Sequence, residues 1–397
     1  MARREWFRLH FEYEDGDLRL VQAARAARPA RRSRLPASPM KVTVLGDSGR
    51  EGATGTAQAD TCCVAESGAG AHDHLRYMFE VLATPSDRVR LTYPGFSRTY
   101  RLDAVDRPAE PVRRPPMAVE EDITRARAAL DKGDRWIVVA LANGFTVASM
   151  ATFVAQVRRL EATLKATRPF DRFASRIDVI PVRTLSPADT LDADSAFGHG
   201  EEKLGENWFR FFVDQDAVAR FMTRNGFTHS RFQPLVVANT TRYGGSGGPA
   251  AVFSLAPEAT EIAIHEIGHS EFGLSDEYSN PIPNPHLQPF GPNVQAIALS
   301  NPPRPADFAG LKWKRFVNGA ALPSLGRPTS ISPDGPGIPA NLAAVVGAFE
   351  GGLYQDSGVY RPQLRCAMRA SREPFCKVCS DVIGRRLNSL TGLAWTP

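Results

Sequence analysis

Apolar and polar residues alternate through the first hundred positions. The stretches "FRLHFEYEDGDLRLV", "MKVTVLGD", "LRYMFEVLA", "RVRLTYPG" and "RTYRLDAV" switch character at every second residue between Gly, Asp and Pro breaks, the two-residue period of half-buried strands. They predict a small antiparallel β-sandwich or barrel. The proline-rich "DRPAEPVRRPPMAV" (Asp106 to Val119) then reads as a semi-rigid linker, dividing the chain into residues 1–118 and 119–397. Beyond it the period lengthens. "EEDITRARAALDKG" predicts a short helix, and "RWIVVALA" (Arg135 to Ala142) is the continuous apolar run of a strand covered on both faces. "TVASMATFVAQVRRLEATLKA" carries Met150, Phe153, Val154, Val157, Leu160 and Leu164 at helical spacing. "RIDVIPVRTL" and "FQPLVVANT" predict further strands. The order implies an α+β chain, an N-terminal antiparallel β-sandwich-like domain followed by a larger domain with a mixed sheet. From Asn280 to about Pro339 the chain is rich in Pro, Asn and Gly, predicting long ordered loops over a site.

Composition narrows the class. Hydrophobic residues at 43% and charged residues at 23% of 397 positions are ordinary for a globular protein of two domains. No stretch approaches the roughly 18 continuous apolar residues of a membrane span. "MARREWFRLHFEYEDGD" has the positive start of a signal peptide without the apolar segment behind it; as read, the chain is cytoplasmic, and exported if a leader was removed. The net charge is +5, and the densest basic run, "RAARPARRSR" (Arg25 to Arg34), has no interleaved aromatics to stack on bases. Nucleic acid is therefore not expected as a partner, and oligomeric state is left open. Of five cysteines, Cys62 and Cys63 are adjacent, while Cys366, Cys376 and Cys379 cluster near the C-terminus. The second group is compatible with one disulfide or with three ligands of a structural metal, for which a fourth donor is missing from the pattern.

The chemistry concentrates in "TEIAIHEIGHSEFGLSDEY". Thr260 is the expected N-cap of a helix with an acid, Glu261, in its first turn. His265 and His269, four apart, lie on one face of that helix and can hold one ion. Glu266 sits about 100° round from His265, beside the ion without ligating it. This is the HExxH arrangement of zinc peptidases, with Glu266 as general base. Zinc in a catalytic site takes three protein ligands and keeps one position for water. Gly273 can adopt the left-handed conformation that stops the helix. The chain can then turn back, so that Asp276 reaches the ion. Glu277, one methylene longer, is the competing third ligand. Metzincin-type sites place a glycine after the second histidine and a ligand three residues past it. Here the glycine comes one residue later, with the second spacing kept. Met368, about a hundred residues downstream, is the candidate floor of the site. Upstream, the glycines of "NTTRYGGSGG" suggest an edge to which an extended peptide could add, with Tyr243, Gly244 and Gly245 as substrate-binding candidates. Tyr278 and Tyr360 are candidate donors to a developing oxyanion.

Together, "NTTRYGGSGG", "HEIGHSEFGLSDEY", "LKWKRF", "GAFEGGLYQDSGVYRP" and "CAMR" followed by "FCKVC" resemble, in that order, the bacterial IgA-peptidase family of zinc metallopeptidases. The resemblance extends over roughly residues 134 to 390. It implies a zincin-like catalytic domain and endopeptidase activity dependent on one zinc ion. It also makes His265, His269 and Asp276 the metal ligands, Glu266 the base and a polypeptide the substrate. Ser275 stands where relatives commonly have another small residue, and "ALANGFT" replaces a more acidic version. Two readings compete with zinc endopeptidase: a surface-binding protein with a vestigial or structural zinc site, and a zinc hydrolase of non-peptide amides.

Overall fold

The structure, a computed structural model, describes residues 5–14, 17–26, 40–45, 51–59, 75–84, 87–93, 96–102, 116–203, 208–227, 231–279, 290–298, 300, 305–317, 342 and 344–397. Cys62 and Cys63, most of the proline-rich linker and most of the predicted loop region from Asn280 to Pro339 lie outside the described residues.

The alternating N-terminal segments form strands β1 (Glu5–Glu14), β2 (Asp17–Ala26), β3 (Lys41–Leu45), β4 (Glu51–Ala59), β5 (Leu75–Ala83), β6 (Arg88–Tyr93) and β7 (Phe96–Arg101). They make one antiparallel sheet in the order β2-β1-β5-β4-β3-β6-β7. The two halves share β4, which pairs with β3 through Glu51 to Thr56 and with β5 through Ala57 to Ala59. Every second residue faces a common core: Phe7, Leu9 and Phe11 from β1, Val42 and Val44 from β3, Phe79 and Val81 from β5, Val89 and Leu91 from β6. The expected sandwich is thus a single continuous sheet whose halves bury one core. Phe11 meets Phe79 and Tyr100 edge to face at its centre.

The chain after the linker builds a second, mixed sheet. Its elements are α1 (Glu120–Asp131), β8 (Trp136–Asn143), α2 (Met150–Ala166), β9 (Ile177–Val182), β10 (Gly200–Lys203), β11 (Phe209–Phe212), α3 (Gln215–Arg224), β12 (Phe232–Ala238), β13 (Gly244–Ser246), β14 (Ala251–Phe253) and α4 (Ala259–Phe272). The strand order is β10-β11-β13-β14-β12-β8-β9, with β14, β12, β8 and β9 running parallel. β8 shows why its sequence is apolar throughout. Trp136, Val138, Ala140 and Ala142 pack on the side of α2 and α4, while Ile137, Val139 and Leu141 pack on the side of α1 and α3. A small sheet of β15 (Gln295–Ala296), β16 (Phe349–Gly352) and β17 (Gln355–Arg361), in the order β15-β17-β16, precedes the last helix, α5 (Lys377–Thr391). Among the described residues no helix is long and apolar enough to cross a membrane.

Helix α4 lies at the centre. All its residues but Glu261 and Ser270 are buried, as expected of a helix apolar on most sides. Its start differs from the sequence reading: Glu258 is the N-cap and Thr260 is already helical, its hydroxyl donating to Glu261 Oε2 at 3.0 Å. At the other end Gly273 caps the helix at φ 64° and ψ 27°. Its N–H and that of Leu274 return to the carbonyls of His269 and Gly268, each at 3.1 Å.

Candidate metal centre

Helical spacing places His265 and His269 on one face of α4, and their rings meet there at a centroid separation of 4.7 Å. The two Nε2 atoms are 3.0 Å apart. After Gly273 the chain leaves the helix, and Asp276 Oδ1 arrives 3.1 Å from His265 Nε2 and 3.2 Å from His269 Nε2. All three side chains are buried.

The outer nitrogens define the tautomers. His265 Nδ1 donates to the carbonyl of Ala367 at 2.7 Å, and His269 Nδ1 donates to that of Leu274 at 2.7 Å. With Nδ1 carrying the proton, each neutral ring turns an Nε2 lone pair inward. Two lone pairs and a carboxylate oxygen thus converge, a donor set that repels itself unless a cation lies between. A tetrahedral ion with bonds of about 2.0–2.1 Å needs its ligand atoms about 3.3 Å apart. The observed separations of 3.0 to 3.2 Å fit such an ion closely.

Without an ion, the same charges draw protons onto the rings. Burial pushes both imidazoles toward the neutral form, but Asp276 outweighs it, holding His265 above its ordinary value and His269 at about 9. Burial likewise opposes ionisation of Asp276, and the two imidazoles reverse this, holding its carboxyl well below the usual range. The pocket therefore favours positive charge between these groups. Glu266, on the next position of α4, is buried close enough to both imidazoles for its charge to act on them.

Met368 packs against α4 at Gly268, the residue before His269. It is fully buried, and its Sδ is 2.7 Å from where a Cβ on Gly268 would stand. Only a residue without a side chain at 268 admits this approach. Met368 sits in a turn closed by the N–H groups of Arg369 and Ala370 on Cys366 O, at 2.9 and 3.0 Å. The turn also supplies Ala367 O to His265 and Met368 O to the N–H of Glu277, the latter at 2.7 Å.

Glu277 does not join the histidines. Its carboxylate accepts from Asn293 Nδ2 at 2.9 Å and from the Cys379 thiol at 3.2 Å, on the other side of the segment from Asp276. The glycines of β13 differ from the sequence expectation too. This strand is no edge: Gly244 and Gly245 pair with Phe209 and Arg210 of β11, and Gly245 pairs with Phe253 of β14. A peptide cannot add there. Glycine is required because a Cβ on Gly244 would stand 1.9 Å from Phe209 O, and one on Gly245 would stand 2.6 Å from Ile262 Cγ2. Tyr243 packs its ring, tilted by 56°, 4.8 Å from that of Trp208 and points its hydroxyl at Ser371 Oγ, 3.4 Å away.

Of the tyrosines named from sequence, Tyr360 directs its hydroxyl at Glu350 Oε1, 3.4 Å away, and burial with that neighbouring charge pushes it up to about 12. Tyr278 packs edge to face on Tyr354 at 5.2 Å. The hydroxyl that reaches the triad belongs to Tyr354, which donates to Asp276 Oδ2 at 2.5 Å. Sequence reading missed it, as it missed Asn293, which ties Ser275 N and O at 2.9 and 2.7 Å and so fixes the segment carrying both acids. Ser275 itself accepts the N–H of Gly291 at 2.7 Å, so the small residue here is used.

A search of curated proteins gave no match. The family model described as IgA Peptidase M64 matches residues 126–329 and 338–387, more than half of the chain and the whole of the region that carries the triad, the Met368 turn and the three C-terminal cysteines. The chain belongs to the IgA peptidase M64 family.

Proposed function

We propose that this chain is a zinc-dependent endopeptidase whose ion is held by His265, His269 and Asp276, with Glu266 as general base. The convergence of two Nε2 atoms and one carboxylate oxygen within 3.0 to 3.2 Å, directly beside Glu266, is the observation that carries the reading. Two imidazoles and one carboxylate suit zinc, and three donors from the chain leave room for a fourth from solvent or substrate. When bound, the ion would supply Lewis-acid polarisation of the scissile carbonyl and ready ionisation of a water at neutral pH.

The chain's residues do the rest. The carbonyls of Ala367 and Leu274 hold both rings with Nε2 inward, so neither ring must reorient during turnover. Tyr354 occupies Oδ2 of Asp276 and leaves Oδ1 facing the histidines. Glu266 takes one proton from the attacking water and returns it to the amine nitrogen as the peptide C–N bond breaks. Met368 and the apolar flank of α4 keep bulk solvent from the back of the site.

Glu266→Gln separates binding from chemistry, because it keeps shape and removes the base. The variant should retain wild-type zinc content by elemental analysis while cleavage of casein or a quenched peptide falls about a hundred-fold or more. Undiminished cleavage in that variant would reject the mechanism.

A further inference from the structure

A second cluster lies beyond the triad, on the far side of the segment that carries Asp276. The sulfurs of Cys366, Cys376 and Cys379 and a carboxylate oxygen of Glu277 all lie within 4.8 Å of one another, every one of them buried. Cys366 Sγ is 3.6 Å from Cys379 Sγ, and Glu277 Oε1 is 3.2 Å from Cys379 Sγ and 3.8 Å from Cys376 Sγ. For a tetrahedral ion with Zn–S bonds of about 2.3 Å and Zn–O bonds of about 2.1 Å, the sulfur–sulfur edge is about 3.8 Å and the sulfur–oxygen edge about 3.6 Å. We infer that Cys366, Cys376, Cys379 and Glu277 form a second, structural zinc site, closed by four protein ligands.

The local structure is that of a thiolate site. Cys376 is the N-cap of α5 and Cys379 falls in its first turn, so both sulfurs sit at the positive end of a helix. Backbone N–H groups of Met368 and Cys376 each point at Cys366 Sγ from 3.4 Å, and that of Cys379 points at Cys376 Sγ from 3.4 Å. These contacts orient the sulfurs before any ion arrives. Arg361 and Arg369, both largely buried, lie near enough for their charges to act on Glu277. Three thiolates and a carboxylate carry four negative charges, and two guanidiniums with one dication cancel them. With all four ligands ionised, the cluster needs the dication as well as the two guanidiniums to balance its charge. Thiolate donors select zinc over hard cations such as magnesium or calcium. Filling every position with protein assigns the ion a structural role.

Its place explains what it would hold. Glu277 is bonded to Asp276, and its N–H donates to Met368 O at 2.7 Å. Cys366 begins the turn that presents Ala367 O to His265 and Met368 to Gly268. One ion gripping Glu277 and Cys366 would clamp the third ligand and the floor of the triad to each other. This consequence rests on the proposed function above; the second site itself does not.

The test uses the full chain loaded with zinc or cobalt(II). Wild type should hold two ions, and His265→Ala/His269→Ala should keep one. With cobalt, that remaining ion should show thiolate-to-metal charge-transfer absorption. Peptide mapping should find Cys366, Cys376 and Cys379 protected from alkylation until a chelator is added. Cys379→Ser in the histidine-free background should lose the last ion, and Glu266→Gln should keep both. The inference fails if the histidine variant holds no metal. It fails equally if the remaining ion gives no thiolate absorption, or if non-reducing mapping finds a disulfide among the three cysteines. Loss of peptidase activity without loss of the thiolate-bound ion would bear on the catalytic reading alone.

Discussion

The hydroxyl of Tyr354 is the donor to Asp276 Oδ2, at 2.5 Å inside a buried site. Removing it leaves a carboxylate oxygen short of one hydrogen bond, a loss of about 1–3 kcal/mol. Partners of metal-ligating groups typically change metal affinity by about 10–100-fold when deleted. Tyr354→Phe should therefore weaken zinc binding by that factor in competition with a chromophoric chelator, while Tyr278→Phe and Tyr360→Phe should leave it near wild type. Equal affinity in all three would remove Tyr354 from the site. The contrast shows what single residues reveal from sequence. His265, Glu266 and His269 were legible because helical geometry alone brings them together. Tyr354 meets Asp276 across 78 positions, and no local pattern encodes that pairing. The two acids were ambiguous for a simpler reason: they are adjacent, and spacing alone does not say which of two neighbours turns to the histidines. Asp276 goes to the histidines and Glu277 to the cysteines.

At the level of elements, the end of α4 decides where Asp276 goes. Gly273 holds φ 64°, a conformation that costs an L-residue with a Cβ about 1–2 kcal/mol. Gly273→Ala should lower stability by that amount in a urea titration and weaken zinc binding as the following segment shifts. Gly273→Asn, which tolerates the left-handed region, should recover most of the loss. Matching midpoints for the two variants would show that the cap geometry is unimportant. The stop signal was readable because a glycine follows the last apolar turn. The helix start was not, since Thr260 offered a better cap by residue type than Glu258, which occupies the position. Strand β13 misled for a related reason. Glycines mark close backbone approach both at a free edge and in the interior of a sheet, and only the partners β11 and β14 tell the two apart.

Across the whole molecule, the N-terminal sheet and the site share apolar packing. The cluster built on Phe7, Leu9, Phe11, Phe79 and Val81 also takes in Tyr278, Val294, Leu353, Tyr354 and Val359. Those later residues are tied to the segment that carries Asp276: Leu353 N–H donates to Asp276 O, and Tyr354 N–H donates to Tyr278 O, each at 3.0 Å. The alternating pattern foretold the sheet, but hydrophobic periodicity says only that a face is buried, not what buries it. A chain beginning at residue 119 would uncover side chains each contributing about 1.5–3 kcal/mol when fully buried. It should melt at lower temperature, bind a hydrophobic dye, and lose zinc more readily than the full chain because Tyr354 loses its packing. Glu266→Gln in the full chain controls for loss of chemistry without loss of cover, and should match wild type in melting and dye binding. If the shortened chain melts and holds zinc as the full chain does, the first sheet stands apart from the site energetically. If it melts lower yet keeps its zinc affinity, the shared core stabilises the fold without positioning Asp276. Only the combined loss connects the buried core face of the first sheet, through Leu353 and Tyr354, to the carboxylate beside the histidines.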